Sequence, residues 1–447
     1  MSTRGARWAT AAATCGLLAP LTLLGLGVAA LGQAAQAGPA GPAAPETRSC
    51  TEVAADDPRV GPWAGPSRAL AATGVLEAQD LLRRRGVTPG AGVVVAVVDS
   101  GIADAARLPA APGVAAYGQG GAVVDPHGTI VAGLVAAPPR PGGGGAVGVA
   151  PGARLVDVRV LDAFSPQEGQ AGPLAVRVAE GLEHVLAEVR RAGGVEPAVD
   201  VVNVSMAVPP EPRIDAAVEA LWREGVVVVA ESGDRPVDAS DPLPDELAVA
   251  TPGEDAATQV HPAGAGSDGE EPGRHVLAVG AVAEPDGSGG HADELLRSSA
   301  IDVAAPTAGG VSIGLNGGSC GVDSVSTSWA AAQVTGVVAL LMSAYPDDTP
   351  AQVLDRLVST ADGRADVRSP LRGAGVVRAD EALARGLAAR PDAAAPGAEA
   401  EPATAPAAEP DLLAGIRDDA VWWGVLGGGA LLLALVLRPV LARRDPA

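Results

Sequence analysis

The 447-residue sequence contains no lysine, so arginine supplies nearly all of its positive charge. Aspartate and glutamate outnumber arginine 53 to 31, and the longest arginine run is only residues 83–85. Because binding to a phosphate backbone needs clustered cations, this deficit argues against nucleic acid as a partner. Aromatic residues make up 2% of the chain, so aliphatic side chains must fill any core.

Cysteine is also scarce, with only Cys15, Cys50 and Cys320. Three cysteines exclude a zinc finger and a disulfide-dense scaffold. No group of metal ligands or cofactor motif stands out, so the sequence predicts no metal site and no cofactor.

The amino-terminal residues 1–37 predict a secretory signal peptide. Arg4 and Arg7 precede an apolar run at 11–30, and the small-x-small sequence AQA at 35–37 is typical of a cleavage site. An uncleaved membrane anchor is the alternative, because the apolar run is long for a signal peptide.

A second apolar stretch lies near the carboxyl end, at residues 420–437. It is long enough for a membrane helix, which needs about 20 residues (range about 17 to 25). We predict such a helix over 420–441. A buried core helix is the alternative, but nothing follows it that could pack around it. Three arginines lie on the carboxyl-terminal side of the apolar stretch: Arg438, Arg443 and Arg444. Because positive charge favours the cytoplasmic side, they place the tail at 442–447 in the cytoplasm and the body outside.

The remaining chain divides by composition. Residues 387–419 are rich in Ala, Pro, Glu and Asp and predict a spacer that cannot bury a core. The body at 90–386 is preceded by an amino-terminal extension at 38–89. We expect Cys50 and Cys320, the two cysteines of the exported chain, to form a disulfide between extension and body.

Strand-like and helix-like segments alternate in the body. Aliphatic runs at 93–98, 226–230 and 276–282 are typical of a parallel sheet covered on both faces, and a fourth run at 201–204 is broken only by Asn203. The intervening helical segments are 174–192, 214–223, 329–344 and 350–361. The alternation predicts an α/β three-layer domain with its site at the carboxyl ends of the strands.

Three short motifs carry the chemistry. Asp99 follows the first strand, His127 opens the segment HGTIVAG, and Ser328 lies in STSWAAAQVTG at the start of an apolar helix. Each alone is weak, since an Asp after a strand or a Ser before a helix is usually a turn or cap residue. Their joint occurrence in the order Asp, His, Ser is informative.

This order and these local sequences resemble the subtilisin family of serine proteases. The segments GVAPGA at 148–153 and VNVS at 202–205 extend the resemblance over most of 90–386. With the signal peptide, the Pro-rich spacer and the single carboxyl-terminal helix, the chain is most similar to mycosins, the membrane-anchored subtilisin-like proteases of actinobacterial type VII secretion. The extension is short for a folded subtilisin prodomain and fits a mycosin.

The resemblance implies a subtilisin-like fold and a catalytic triad. Ser328 would be the nucleophile, His127 the base that takes its proton, and Asp99 the carboxylate that orients the imidazole. His127 is expected to titrate near neutral pH, so activity should fall when it is protonated. Structural calcium is common in subtilisins, but these residues assign no site for it.

Asp234 stands where the family has the asparagine of the oxyanion hole. An ionised carboxylate there would repel the developing oxyanion, and loss of one donor typically costs about 10²- to 10³-fold in rate. A protonated Asp234 could donate, which requires a strongly raised pKa.

Three further departures lie near the nucleophile. Ser326 replaces the glycine of the family's Gly-Thr-Ser; it displaces Ser328 if that glycine needs a conformation closed to a Cβ, and is harmless otherwise. Ala332 replaces a proline. The family's substrate-pairing Ser-Leu-Gly becomes Ser205, Met206 and Ala207.

A Pro- and acid-rich insertion at 235–260 adjoins Asp234. It is either a solvated loop or a selector for basic substrate segments, and its six carboxylates are those of Asp238, Asp241, Asp245, Glu246, Glu254 and Asp255.

The sequence therefore predicts a membrane-anchored, extracytoplasmic serine endopeptidase that acts on protein or peptide substrates, linked to type VII secretion. The rival is a catalytically impaired subtilisin-like domain that serves as a structural subunit of a secretion complex. A serine esterase is disfavoured, because the Ser205 region resembles a peptide-pairing strand.

Overall fold

The computed structural model describes residues 48–59, 67–118, 120–139, 147–193, 199–237, 241–266, 275–283, 293–363, 367–386 and 414–441. The predicted signal peptide at 1–37, most of the predicted spacer and the predicted tail at 442–447 lie outside these residues. The chain divides into two units, Met1–Gly386 and Leu387–Ala447, which are described separately.

A six-stranded parallel sheet forms the centre of the first unit, with the strand order β2-β1-β3-β4-β5-β6. Its strands are β1 (Val94–Asp99), β2 (Arg154–Arg159), β3 (Val201–Val204), β4 (Val227–Glu231), β5 (Val276–Val282) and β6 (Val303–Pro306). Runs of β-branched valine favour these strands. The strands are buried except at Val94, which is half-exposed, and in the edge strand β2, where Arg154 is exposed and Asp157 and Arg159 are half-exposed. The predicted mostly parallel sheet is confirmed.

In the described residues of the first unit, eight α-helices surround this sheet. They are α1 (Arg68–Ala72), α2 (Val75–Arg84), α3 (His127–Ala136), α4 (Ala175–Ala192), α5 (Pro212–Arg223), α6 (Thr327–Ala344), α7 (Pro350–Ser359) and α8 (Ala379–Ala384). Side chains of β1 alternate between the two faces of the sheet. Val95 and Val97 join the core under α3 and α6, whereas Ala96 and Val98 join the core under α4 and α5. The domain is therefore the predicted three-layer α/β fold.

Helix α6 runs through the middle of the larger core. Its residues from Thr327 to Leu341 are all buried. Among the described helices it is the one long and apolar enough to cross a membrane by length and composition, but 83% of it is buried inside the domain. A helix that is apolar on all sides and buried in this way is a core helix.

The amino-terminal extension is part of the domain. Val75, Ala78 and Leu82 of α2 are fully buried in the same core as α6. The Gln79 side chain donates to the backbone oxygens of Gly148 and Val149 at 3.0 and 2.8 Å. These contacts pair buried carbonyl groups with a donor from the extension.

Cys50 and Cys320 form a disulfide, with a Cα–Cα distance of 4.8 Å. Cys320 lies in the antiparallel hairpin of β7 (Gly310–Ile313) and β8 (Ser319–Val322). The neighbouring Gly321 also donates its backbone N–H to the Arg48 oxygen at 3.0 Å. The predicted disulfide between extension and body is confirmed.

The second unit contains helix α9 (Ala414–Leu441), 28 residues long. At about 1.5 Å per residue it spans about 42 Å. The helix begins six residues before the predicted start at 420, because residues 414–419 can continue a helix without being apolar. Its stretch Trp422–Arg438 is apolar. The side chains of this stretch are exposed, those of Trp422 and Trp423 among them.

Candidate active site

The carboxyl end of the sheet brings the three motif residues into one region. Asp99 is the last residue of β1, His127 the first of α3 and Ser328 the second of α6. His127 Nδ1 lies 2.8 and 3.0 Å from the two carboxylate oxygens of Asp99. A Cβ at Gly128 would lie 2.6 Å from the Gly101 oxygen, so glycine allows α3 to begin this close to β1.

Two aromatic rings cover the imidazole of His127. The ring centroid of Phe164 lies 4.4 Å away and that of Trp329 lies 4.7 Å away. Trp329 is held by a hydrogen bond from its Nε1 to Ser324 Oγ at 2.9 Å. The imidazole is therefore largely shielded from water, with 15% of the side chain exposed. The sequence analysis missed both rings, although Phe164 is the single phenylalanine of the chain.

Carboxylates dominate the electrostatics around His127. Burial alone lowers its pKa, but the charges of Asp99, Asp125 and Glu231 outweigh burial and raise the pKa to about 9. The prediction that His127 titrates near neutral pH was therefore wrong, because it considered only the family's single carboxylate. These charges favour the protonated form of the imidazole.

The Ser328 hydroxyl is bonded to other groups than His127. Ser328 Oγ donates to the Glu231 carboxylate oxygen Oε2 and lies 3.2 Å from the backbone oxygen of Ser205. Within the described part of the chain, no hydrogen bond joins Ser328 Oγ to the His127 ring. The sequence analysis missed Glu231. A glutamate that ends a buried aliphatic strand, three residues before Asp234, was the available signal.

Asp234 follows β4 in the chain, and its side chain contacts the amino terminus of α6. Its Oδ1 accepts hydrogen bonds from the Thr327 backbone N–H at 2.8 Å and from Thr327 Oγ1 at 2.7 Å. Thr327 Oγ1 also lies 3.2 Å from Glu231 Oε2. The Thr327 hydroxyl thus bridges two carboxyl groups beside the nucleophile.

These two carboxyl groups are difficult to ionise together. Burial, and next the charge of Asp234, raise the pKa of Glu231 to about 8. Burial also raises the pKa of Asp234, although hydrogen bonds from Thr327 and Ser326 oppose the increase. Two buried carboxyls this close favour a state in which one of them holds a proton. The pKa of Asp234 is thus raised in the direction that oxyanion binding requires.

Ser326 is the residue before the first turn of α6. Its φ of −160° is extended backbone, so a Cβ is tolerated and the replacement of glycine does not displace Ser328. The Ser326 hydroxyl instead accepts the backbone N–H of Ser328 at 3.2 Å as a helix cap. Serine proteases use this type of N–H to bind the oxyanion. Ala332, the other departure on α6, is fully buried in the core.

A family model described as Subtilase family matches residues 90–377. The chain belongs to the subtilase family. It is 35% identical to Mycosin-1 of Mycobacterium tuberculosis over 323 residues, which are 66% of this chain and 69% of that protein. Its membership of the subtilase family and its similarity to Mycosin-1 identify the chain as a serine-type endopeptidase.

Two solved structures show the same fold. The crystal structure of MycP1 from the ESX-1 type VII secretion system has a TM-score of 0.56 at 25% identity, covering 77% of this chain and 92% of that one. The structure of the MycP3 protease from the type VII (ESX-3) secretion system has a TM-score of 0.52 at 29% identity, covering 72% and 88%.

The predicted substrate strand of this subtilase follows β3. Ser205 Oγ donates to the Ser328 backbone oxygen at 2.9 Å and accepts from Asn203 Nδ2 at 2.9 Å. Met206 is fully buried in the core under α4 and α5. The Ser205 side chain therefore contacts the start of α6, and the Met206 side chain fills the core. Ala207 packs against the apolar cluster of the neighbouring insertion.

The insertion at 235–260 is partly internal. Arg235 and Glu254 form a buried ion pair at 2.7 Å. Asp255 Oδ1 accepts the backbone N–H of Ser299 at 2.8 Å. The prediction that all six carboxylates could select basic substrates was therefore wrong for Glu254, whose side chain is 4% exposed. Asp255 is exposed. Asp238 lies outside the described residues.

Metal ligands are not grouped in the described ranges: no set of three or more His, Cys, Asp or Glu side chains there could hold a metal ion.

Proposed function

We propose that this subtilase hydrolyses peptide bonds through the triad Asp99, His127 and Ser328. The observation that carries the proposal is the convergence of β1, α3 and α6, which brings a buried, hydrogen-bonded Asp99–His127 pair beside the serine that opens α6. In this proposal Ser328 attacks the substrate carbonyl carbon, and His127 delivers a proton to the leaving amine. Asp99 fixes the imidazole tautomer and stabilises its cation.

We further propose that the protease domain is exported and tethered by the apolar part of α9. The support is the exposed apolar surface from Trp422 to Leu437, which is a liability in water and suited to a bilayer. A variant that ends at Gly386 should then leave the membrane fraction while the full-length protein stays in it. Recovery of both proteins in the soluble fraction would contradict the tether.

The setting that we propose is protein secretion. The similarity to Mycosin-1 and to MycP1 and MycP3, which are proteins of type VII secretion systems, supports action beside a type VII membrane complex. The substrates of this subtilase would be protein or peptide segments that pass through that complex or form part of it.

The test of peptide hydrolysis is active-site labelling of the full-length protein in detergent. A fluorophosphonate should form a stoichiometric adduct on Ser328, located by mass spectrometry, and the Ser328→Ala variant should form none. Cleavage of a peptide library should be lost in the same variant.

A second candidate function is a catalytically impaired structural subunit. Two observations favour it. The Ser328 hydroxyl donates its hydrogen bond to Glu231 rather than to His127. The Ser328 backbone N–H, a donor that oxyanion binding needs, donates to the Ser326 hydroxyl. A folded wild-type protein that gives no adduct between mildly acidic and mildly alkaline pH would select this candidate over hydrolysis.

A further inference from the structure

We propose that Phe164 and Trp329 are positioning residues for His127. Their two rings hold the imidazole in place and stabilise the cation that it becomes when it takes the Ser328 proton. The inference rests on the proposed peptide hydrolysis and keeps His127 as the base. It gives two aromatic residues outside the triad a part in the reaction.

The orientation of the imidazole depends on more than Asp99. In the part of the chain that the structure describes, hydrogen bonds reach the ring of His127 only from Asp99, at Nδ1. A hydrogen bond at one ring nitrogen restrains the tilt of the ring plane only weakly. The rings of Phe164 and Trp329 contact the imidazole at interplanar angles of 52° and 33°, and their centroid distances lie at the short end of the range for aromatic pairs. They supply the missing restraint.

Trp329 is fixed on the same helical turn as the nucleophile. It follows Ser328 in α6, is 4% exposed, and donates from Nε1 to Ser324 Oγ. The tryptophan ring that contacts His127 and the hydroxyl that His127 deprotonates therefore belong to adjacent residues. A shift of the start of α6 would move both together.

Phe164 is tied to the start of α3. It lies in the segment between β2 and α4, and its backbone N–H donates to Asp125 Oδ2 at 2.9 Å. The other oxygen of the same carboxylate, Oδ1, accepts the backbone N–H of His127 at 2.9 Å. One carboxylate thus holds the segment that carries the phenyl ring and the residue that carries the imidazole.

The two rings also suit the charge that His127 acquires. The face of an aromatic ring attracts a cation, and the attraction is larger where water is excluded. The imidazole is largely shielded from water and becomes a cation only when it takes the Ser328 proton. An interaction that strengthens as this charge forms stabilises the transition state more than the ground state, which accelerates the reaction. An aliphatic side chain would fill the same space without this attraction.

The charged groups that face the imidazole set the pH at which it can act as a base. They are the carboxyl groups of Asp99 from β1, Asp125 from the segment before α3, Glu231 from β4 and Asp234 from the loop after β4. Burial lowers the pKa of His127, but the first three outweigh burial and raise it to about 9. Labelling by a fluorophosphonate should therefore rise with pH through about 9. These carboxyl groups are unchanged when an aromatic ring is replaced.

The experiment measures the rate of fluorophosphonate labelling against pH in the full-length protein in detergent. Phe164→Leu and Trp329→Leu keep the imidazole covered but remove the aromatic face, whereas Phe164→Tyr and Trp329→Phe keep an aromatic face. We expect each leucine variant to reach a maximal rate at least about fivefold below wild type. The midpoint of its pH profile should fall by about half a unit to one unit, because the cation is less stable.

The aromatic replacements should keep the wild-type midpoint. The matched control is Trp222→Leu, which removes a tryptophan on α5 whose ring lies 5.3 Å from that of His275. This control should label like wild type at every pH.

The inference is overturned if a folded leucine variant labels within twofold of wild type at an unshifted midpoint. It is also overturned if all four variants lose rate at an unshifted midpoint, since the rings would then only fill space. Phe164→Leu, at a half-buried position outside the helices and strands, decides the question if Trp329→Leu does not fold. Absence of any wild-type adduct on Ser328 would overturn peptide hydrolysis itself. A normal wild-type adduct with unchanged leucine variants overturns only the role of the rings.

Discussion

The hydroxyl of Ser326 accepts the hydrogen bond of the Ser328 backbone N–H. Without this hydroxyl, the N–H would be available as an oxyanion donor. The backbone around Ser326 is extended and accepts a Cβ, so the hydroxyl and not the conformation carries the effect. By accepting the Ser328 N–H at 3.2 Å, it stabilises the start of α6 and competes with substrate for the same donor. The residue therefore links the stability of a helix to catalysis.

Removing this hydroxyl should accelerate the reaction. We expect Ser326→Ala to raise the labelling rate of Ser328 by between about 10- and 10²-fold, because the freed N–H is an oxyanion donor. The helix should lose about 1 kcal/mol of capping, and Ser326→Gly only a few tenths. Labelling kinetics and thermal unfolding of both variants measure the two effects. Unchanged rates in both would show that substrate displaces the Ser326 hydroxyl without cost.

Asp234 offers a second adjustment at the same scale. Asp234→Asn supplies an amide donor at every pH and removes the charge that helps to raise the pKa of Glu231. We expect Ser328 of this variant to be labelled faster than Ser328 of wild type at every pH. A pH series of labelling rates for wild type and variant tests this. Equal labelling rates for the two proteins at every pH would contradict the donor role of the amide.

Among the elements, the β7–β8 hairpin joins the amino-terminal extension to the domain. The disulfide closes a loop of 270 residues, and such a constraint typically stabilises a protein by about 2 to 4 kcal/mol. We expect the Cys50→Ser/Cys320→Ser double variant to lose stability in this range in denaturant unfolding. Two reactive thiols in the unreduced wild-type protein would instead show that the bridge does not form.

The sequence predicted the elements that are apolar throughout and missed those that depend on partners. The valine runs of β1, β3, β4 and β5 are unambiguous because both faces of a parallel strand are buried. Helix α2 is amphipathic and short, and its place in the core depends on the Gln79 contacts with a segment about 70 residues away. Sequence spacing alone cannot indicate such a contact.

At the scale of the whole molecule, the candidate site also contains residues that the sequence predicted and residues that it missed. Asp99, His127 and Ser328 were predicted because each stands in a local motif. Glu231 was not, because its contact with Ser328 exists only where the end of β4 meets the start of α6. The same meeting of distant segments changed the expected titration of His127, since three carboxylates from separate segments act on one ring.

The stability of the folded molecule should decrease as pH rises from about 5 to about 9. Glu231, with a pKa raised from 4.5 to about 8, stays protonated when folded where the unfolded chain has released the proton. His127, raised from 6.5 to about 9, contributes stability that is complete below pH 6.5 and is lost by pH 9. In both cases folding takes up protons, so the free energy of unfolding falls with pH.

Scanning calorimetry at constant ionic strength measures this trend. The melting temperature of wild type should fall between pH 5 and pH 9, and that of Glu231→Gln should fall less, because glutamine does not titrate. Parallel curves for the two proteins would contradict the raised pKa of Glu231.

The disulfide at Cys50 has a consequence for proteolytic maturation. Many proteases are activated by a cut that releases an amino-terminal piece, but a cut between Cys50 and β1 would leave both pieces covalently joined through Cys320. Such a nicked enzyme would migrate as one band on a gel without reductant and as two with it. Helix α2, buried in the core, would hold the nicked chain together even in a reducing compartment. With a single cut in the amino-terminal extension, only residues before Cys50 would leave as a free peptide, so such a cut would trim the chain and not unmask the site.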